Sequence, residues 1–384
     1  MKNPVYINSI ASLSPLGTTR EEIWNNYKTN QHFIKKQDFS GSEAFAASLS
    51  LKQKAEIESL RKSEARFKGL DNSVLYSIIT ARAAFKEAGW VKGDSIGINI
   101  GSSRGATQLF EKHHQEFLEK GKVGVLASPS TTLGNISSWV AQDLKTSGPD
   151  ISHSVTCSTG LHAVLNGVVW LQSGFADKFI VGGSEAALTP FTIAQMKAMK
   201  IYASKDIDYP CQALNMEKEY NSMVLGEAAG VACISNSSEN SIAKISGIGY
   251  ATEELKHSVS ISANGTCFQK SMKMAIGELE LSEIDAVVMH APGTIKGDEA
   301  ELNAIKAIFG NELPALTSNK WKIGHTFGAS GVLSMELAIL MVQHNEFITV
   351  PFSAISKAPK KLENILVNAV GFGGNAVSIL ISKK

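Results

Sequence analysis

Charge of one sign is the first thing this 384-residue chain lacks: 37 lysines and arginines stand against 36 acids, a formal charge of +1. No global field therefore argues for nucleic acid or an anionic membrane as a partner. Cysteine is scarce too. The four cysteines, at 157, 211, 233 and 267, show no CxxC and no Cys/His metal spacing, which argues against a disulfide framework and fits a reducing compartment. No run of about 18 apolar residues occurs, and no basic segment leads into an apolar stretch within the first twenty or so, so a soluble, cytoplasmic protein is expected. Pro/Gly/Ser-rich linkers and low-complexity tracts are missing, so separate beads on a string are not expected. A GxxxxGK[ST] loop is missing as well, and the glycine spacing does not fit a dinucleotide fingerprint.

What is present is an ordinary globular composition, 43% apolar and 19% charged, with β-branched runs alternating with amphipathic stretches. That alternation is the pattern of a layered α/β fold. Strands are predicted at Pro4 to Ile10, Ser95 to Ile100, Lys178 to Gly182, Ala229 to Ile234, Ile284 to His290 and Val377 to Ile381. Helices are predicted over Leu75 to Ala88 and Asp298 to Phe309, the second closed by Gly310.

A strand running to Cys157 gives way to Ser158, Thr159 and Gly160 and then to a helix with Leu161, Val164, Leu165 and Val168 on its apolar side. In the second half His325 is followed by Gly328 and by a helix carrying Val332, Met335, Ile339 and Val342. The equal offset from Cys157 to Gly160 and from His325 to Gly328 suggests two related halves that turn their strand-to-helix corners toward one centre. A cysteine at a first helical turn lies beside unpaired N–H groups that favour its thiolate. The competing reading is a packed structural cysteine, which free cysteines usually are.

Residues Ser154 to His162 resemble the nucleophile corner of the β-ketoacyl-acyl-carrier-protein synthases, thiolase-fold condensing enzymes, and Val181 to Ala186 resembles the next strand of that family. Val5 to Gly17, Ser128 to Thr131 and Gly148-Pro149 are similar to its opening strand and upstream segments. His290, eight residues before Asp298, and His325, five after Lys320, match its two histidine motifs. Gly371 to Asn375 resembles its GFGG loop, whose glycines permit close main-chain approach. The match runs in order over essentially the whole chain.

The resemblance implies a five-layered αβαβα thiolase fold, with residues 1–235 carrying the cysteine and 236–384 carrying both histidines and the glycine loop. It implies Cys157, His290, His325 and Lys320 as catalytic residues, the backbone N–H groups of Cys157 and Phe372 as an oxyanion hole, and Thr294, Phe372, Gly373, Asn375 and Arg104 as substrate contacts, without metal. It implies a ping-pong decarboxylative condensation with malonyl-carrier protein and no cofactor beyond the phosphopantetheine of the acyl carrier protein. Partners would be that carrier protein and either a second copy or a ketosynthase-like chain-length subunit. A scaffold or chain-length subunit is disfavoured by the retained catalytic set. A coenzyme-A-dependent thiolase is disfavoured because no cysteine follows Cys267.

Some residues depart from the pattern. Ala291-Pro292-Gly293 replaces the Gly-Thr-Ser after the first histidine, leaving Thr294. Ser334 stands where relatives place the lysine's glutamate, with Glu336 two residues on. Arg104 replaces an apolar residue near the acyl pocket, so it should find a carboxylate, a polar substrate or a subunit interface. These changes fit a specialised pathway, such as one for aryl polyene or flexirubin-type pigments. Asp298 and Glu301 read as a capping box. His162 reads as packing ahead of base, and His32, His113, His114, His153, His257 and His344 as surface or core residues. Lys54, Arg61, Lys62, Arg66 and Lys68 form a basic stretch read either as a carrier-protein contact or as a solvated helix face.

Overall fold

A computed structural model describes residues 4–133, 135–254 and 261–384; His257 lies outside them. One sheet of ten strands organises the chain. In chain order these are β1 (Val5–Leu13), β2 (Gly97–Gly101), β3 (Asp150–Ile151), β4 (Lys178–Glu185), β5 (Ala228–Ser235), β6 (Ala243–Ala251), β7 (Ala286–Val288), β8 (Ala315–Thr317), β9 (Asn364–Gly371) and β10 (Asn375–Ser382). Their spatial order is β8-β7-β9-β10-β6-β1-β5-β4-β2-β3. Numbered within each half, both sets of five run third, second, fourth, fifth, first. The hydrogen bonding repeats as well. The second strand pairs parallel with the third and fourth, and the fifth pairs antiparallel with the fourth and first, in both halves. β1 joins the halves through Val5↔Ile245 on one side and Leu13↔Ala229 on the other.

The helices that matter are α1 (Asn72–Glu87), α2 (Thr159–Gln172), α3 (Thr266–Ile276), α4 (Ile295–Phe309) and α5 (Ser330–His344). α2 and α5 follow the third strand of their respective halves and pack together in the main core with Leu161, Val164 and Val168 against Val332 and Met335. Small residues allow this approach: a Cβ on Gly160 would lie 2.7 Å from the Gly328 carbonyl oxygen, and one on Gly331 would lie 2.6 Å from Leu161. α5 is buried on every face from Ser330 to Val342, as expected of a helix apolar all round. The stretch Phe327–His344 has the length and hydropathy of a membrane span but is 89% buried within the protein.

Two predicted elements differ. The strand expected over Ile284 to His290 is only Ala286–Val288, because its parallel neighbour β8 ends opposite Val288 at Thr317. The capping box of Asp298 and Glu301 does not form. α4 starts earlier, its N-cap being Thr294, whose hydroxyl accepts from Gly297 N at 3.2 Å. Both acids instead lie inside the helix and are fully buried.

Candidate active site

The corners before α2 and α5 converge on one cavity of about 490 Å³ whose wall includes Cys157, His290, His325 and Phe372. Thr294 and the exposed Lys296 line it on the solvent side. Met196, Met199, Ile201, Met223 and Phe327 give it an apolar wall. Cys211, Cys233 and Cys267 are also buried free thiols, but they do not line it.

Cys157 sits two residues before α2, and the preceding Thr156 has φ +48°, a sharp turn that presents the next side chain. Against this corner lies the end of β9. A Cβ on Gly371 would collide with Thr156 Oγ1 and sit 2.5 Å from the Val155 carbonyl oxygen. Gly371→Ala must therefore push the cysteine turn aside. The acylation rate of Cys157, followed by intact mass, should fall about 100-fold, the usual cost of a shift near 1 Å in a reacting atom.

The helix start does not leave the thiol acidic. Burial pushes the Cys157 thiol up to about 12, Glu185 adds to that, and Lys320 and Arg104 work against it. The local expectation of a favoured thiolate is thus overruled by desolvation. Alkylation of Cys157 by iodoacetamide should be slow at pH 7 and rise about tenfold per pH unit up to pH 9. A plateau already reached at pH 7 would contradict this ordering of effects.

His290 and His325 face each other with ring centroids 5.2 Å apart and planes at 90°. Burial, then the charge on Lys320, lowers both well below the usual imidazole value. Both rings are therefore neutral at neutral pH, each with one N–H donor. The His290 main chain is held by Glu301, whose carboxylate accepts from His290 N at 2.9 Å, Ala291 N at 2.8 Å and Asn368 Nδ2 at 3.0 Å. Asp298 accepts from Leu214 N, Gly293 N and Lys218 Nζ. Neither acid lines the cavity; they fix the loop that carries the histidine.

Lys320 is 1% exposed and is lowered to about 8 by burial, with Glu301 the largest opposing charge. Glu336 does not serve it: that carboxylate accepts from Ser12 Oγ at 2.7 Å and is itself raised to about 7 by burial. Ser334 Oγ is buried without a partner among the described residues.

The remaining expected contacts are dispersed. Thr294 and Phe372 line the cavity, whereas Gly373, Asn375 and Arg104 do not. Gly371 and Asn375 close the turn between β9 and β10 as a strand pair, with Gly373 at φ +103° and Gly374 at φ +67°. Arg104 finds no carboxylate among the described residues; its guanidinium bonds Gln195 and lies 5.7 Å from the centre of the Phe327 ring. His162 Nδ1 lies 3.1 Å from the Ser158 carbonyl oxygen, away from the cavity wall. In the basic stretch, Arg61 and Arg66 are tied to Glu58 and Glu64, and none of its five members reaches the cavity.

Sequence reading missed Glu185, a fully buried carboxylate that accepts from Ser102 Oγ at 2.6 Å, Ser103 N at 2.8 Å, Arg104 N at 3.0 Å and Gly328 N at 2.9 Å. It clamps the loops of both halves under the cysteine. An acid ending the apolar run Phe179 to Ser184 was the available signal.

Paired corners of a duplicated α/β fold, with one thiol and two neutral imidazoles in a shared apolar-walled cavity, define a condensing-enzyme scaffold. The chain belongs to the β-ketoacyl synthase family: the N-terminal domain model matches residues 2–240 and the C-terminal domain model residues 242–351. A 3-oxoacyl-[acyl-carrier-protein] synthase 2 from Staphylococcus aureus is 27% identical over 411 aligned positions, covering 99% of this chain and 98% of that relative. Among solved structures, the ishigamide ketosynthase/chain length factor superposes with TM-score 0.88 at 18% identity, covering 100% of this chain and 99% of that one. A type II polyketide synthase acyl-carrier protein in complex with its ketosynthase bound to the hexaketide matches with TM-score 0.85 at 18% identity, over 100% of both chains.

Proposed function

We propose that the protein is a β-ketoacyl-acyl-carrier-protein synthase that elongates acyl chains by ping-pong decarboxylative condensation. The observation that carries this is the meeting of Cys157, His290 and His325 on one cavity wall. Residues 1–235 supply the sulfur and 236–384 the imidazoles.

In the first half-reaction the Cys157 sulfur attacks an acyl thioester carried on phosphopantetheine, forming a new thioester and releasing the carrier thiol. Because the thiol is protonated at neutral pH, its proton leaves during attack and passes to the departing carrier thiolate. The developing oxyanion is held by the main-chain N–H groups of Cys157 and Phe372. Among the described residues the Phe372 N–H has no acceptor within the chain, which supports its assignment to a substrate oxygen, while the Cys157 N–H bonds only its own sulfur. In the second half-reaction a malonyl thioester enters, and the two imidazole N–H groups bond its thioester oxygen. Carbon dioxide leaves, and the carbanion so stabilised attacks the acyl-enzyme and expels the sulfur. Lys320 keeps both imidazoles neutral by its charge and opposes proton uptake by them. No metal or organic cofactor takes part in this reading.

The carrier protein would approach the solvent side beside Lys296. Partners would be a second copy or a chain-length subunit of the same fold, and the enzyme would act in the cytoplasm. Arg104, packed on the cavity-wall residue Phe327, supports a specialised fatty-acid or polyketide-type pathway, such as one for aryl polyenes, over routine saturated elongation. Among the described residues no second thiol lines the cavity, which disfavours the thiolase alternative.

Incubation with acyl-carrier proteins of different chain length plus malonyl-carrier protein tests the proposal. The expected product is the 3-oxoacyl-carrier protein two carbons longer. Hydrolysis alone, or transfer to coenzyme A, would rule out the assignment.

A further inference from the structure

We propose that the hydroxyl of Ser330 sets the tautomer of His325, so that Nε2 carries the proton offered to the substrate's thioester oxygen. This rests on the condensing-enzyme reading above and adds to it a positioning residue. The local geometry brings the two side chains together. A tight turn over Phe327–Ala329, with Phe327 at φ +43°, folds the chain back before α5 begins at Ser330. His325 and Ser330, five positions apart, thereby meet with Nδ1 2.9 Å from Oγ.

A neutral imidazole has one donor nitrogen and one acceptor nitrogen, and the partner of the first ring nitrogen decides which is which. Ser330 Oγ accepts from Thr326 N at 3.0 Å and lies 3.1 Å from Thr326 Oγ1. His325, Thr326 and Ser330 are 2%, 1% and 3% exposed, so water does not settle these contacts. One arrangement satisfies every donor. The Thr326 hydroxyl donates to Ser330 Oγ, the Ser330 hydroxyl donates to His325 Nδ1, and the ring proton resides on Nε2. In the opposite tautomer Nδ1–H donates to Ser330 Oγ, whose own proton then goes to Thr326 Oγ1. The Thr326 proton would be left over, because Thr326 Oγ1 has no further partner among the described residues. Buried hydroxyls are rarely left so.

The other catalytic histidine makes the contrast. Among the described residues His290 Nδ1 is buried without a hydrogen-bond partner, so no side chain there presets its tautomer as Ser330 does that of His325. Ser330 is thus the group that keeps one donor aimed and loaded before the malonyl thioester arrives. No proton is transferred through it; it acts through the ring it bonds.

Histidine-selective ¹⁵N NMR of the full-length protein tests this, with the His325 signals assigned by their loss in His325→Ala. The wild type is expected to show Nδ1 as the unprotonated nitrogen and Nε2 as the protonated one. Ser330→Ala should shift His325 toward a mixture of tautomers and slow malonyl-carrier-protein decarboxylation about tenfold, while acylation of Cys157 stays near wild type and the melting temperature falls only by the few degrees that an unpaired buried Thr326 N–H costs. Ser330→Thr, which keeps the hydroxyl, should restore the signal and the rate. Thr326→Val leaves the Ser330 proton with Nδ1 as its acceptor and should retain the wild-type tautomer. An unchanged tautomer and decarboxylation rate in Ser330→Ala would overturn the proposal. So would a loss that falls equally on acylation and melting temperature, since that marks a packing role. A wild type that never takes an acyl group onto Cys157 would instead defeat the condensing-enzyme reading, while the NMR result would still report on the tautomer.

Discussion

Replacing His290 or His325 with alanine should separate the two halves of the reaction: Cys157 still becomes acylated, but carbon dioxide release and condensation fall about 100- to 1,000-fold. That range is the cost of removing one preorganised donor from a developing oxyanion. Much of the remaining lining, Met196, Met199, Ile201, Met223 and Phe327, is apolar and offers no donor in its place. The loss should appear in kcat more than in KM, since the hydrogen bonds strengthen as charge develops on the thioester oxygen. Lowering the pH should not mimic the mutation down to about pH 6, because burial and Lys320 keep both rings neutral below the usual imidazole value. The linked effect on stability has the same sign. Between the usual value and the depressed one, the unfolded chain binds protons the folded chain refuses, so these two groups withdraw stability as pH falls below about 6.5.

Cys157→Ala should abolish the acyl-enzyme altogether and reduce condensation by roughly 1,000-fold or more. Decarboxylation of malonyl-carrier protein need not vanish with it, because the imidazoles and their supports Glu301 and Ser330 are untouched. Acyl transfer to Cys211, Cys233 or Cys267 in the variant is not expected, since none of those sulfurs lines the cavity. Intact-protein mass after exposure to acyl-carrier protein reads the first effect, and release of labelled carbon dioxide reads the second.

Cys157, His290 and His325, which meet on the cavity wall, were singled out by the ordered family resemblance; the local signal of a cysteine or histidine at a strand-to-helix corner, with glycine three residues on, left a structural reading open. The duplication was visible in the same corners, and the repeated strand order gives it a structural basis. Other features depend on residues far apart in the chain. Glu185 is anchored by residues 102–104 and 328, contacts that no window of sequence contains. Asp298 and Glu301 satisfied a local capping rule, but Thr294 captured the helix start and freed both acids to hold the His290 loop from inside. The Cys157 corner shows the same limit in energetic form. A helix start favours a thiolate locally, yet burial of the sulfur and the charge of Glu185 outweigh it. Arg104 posed a question in the sequence that the fold answers with an amide and an aromatic face in place of an acid.

A single-turnover experiment bears most directly on the shared role of the sulfur and the two imidazoles. Wild-type protein is charged with one acyl group, the site is mapped by peptide mass, and malonyl-carrier protein is added. The prediction is that the group resides on Cys157 and leaves it in step with carbon dioxide release, one for one, reappearing in a 3-oxoacyl-carrier protein. An acyl group that stays on the protein while carbon dioxide is released, or that resides on another cysteine, would contradict it.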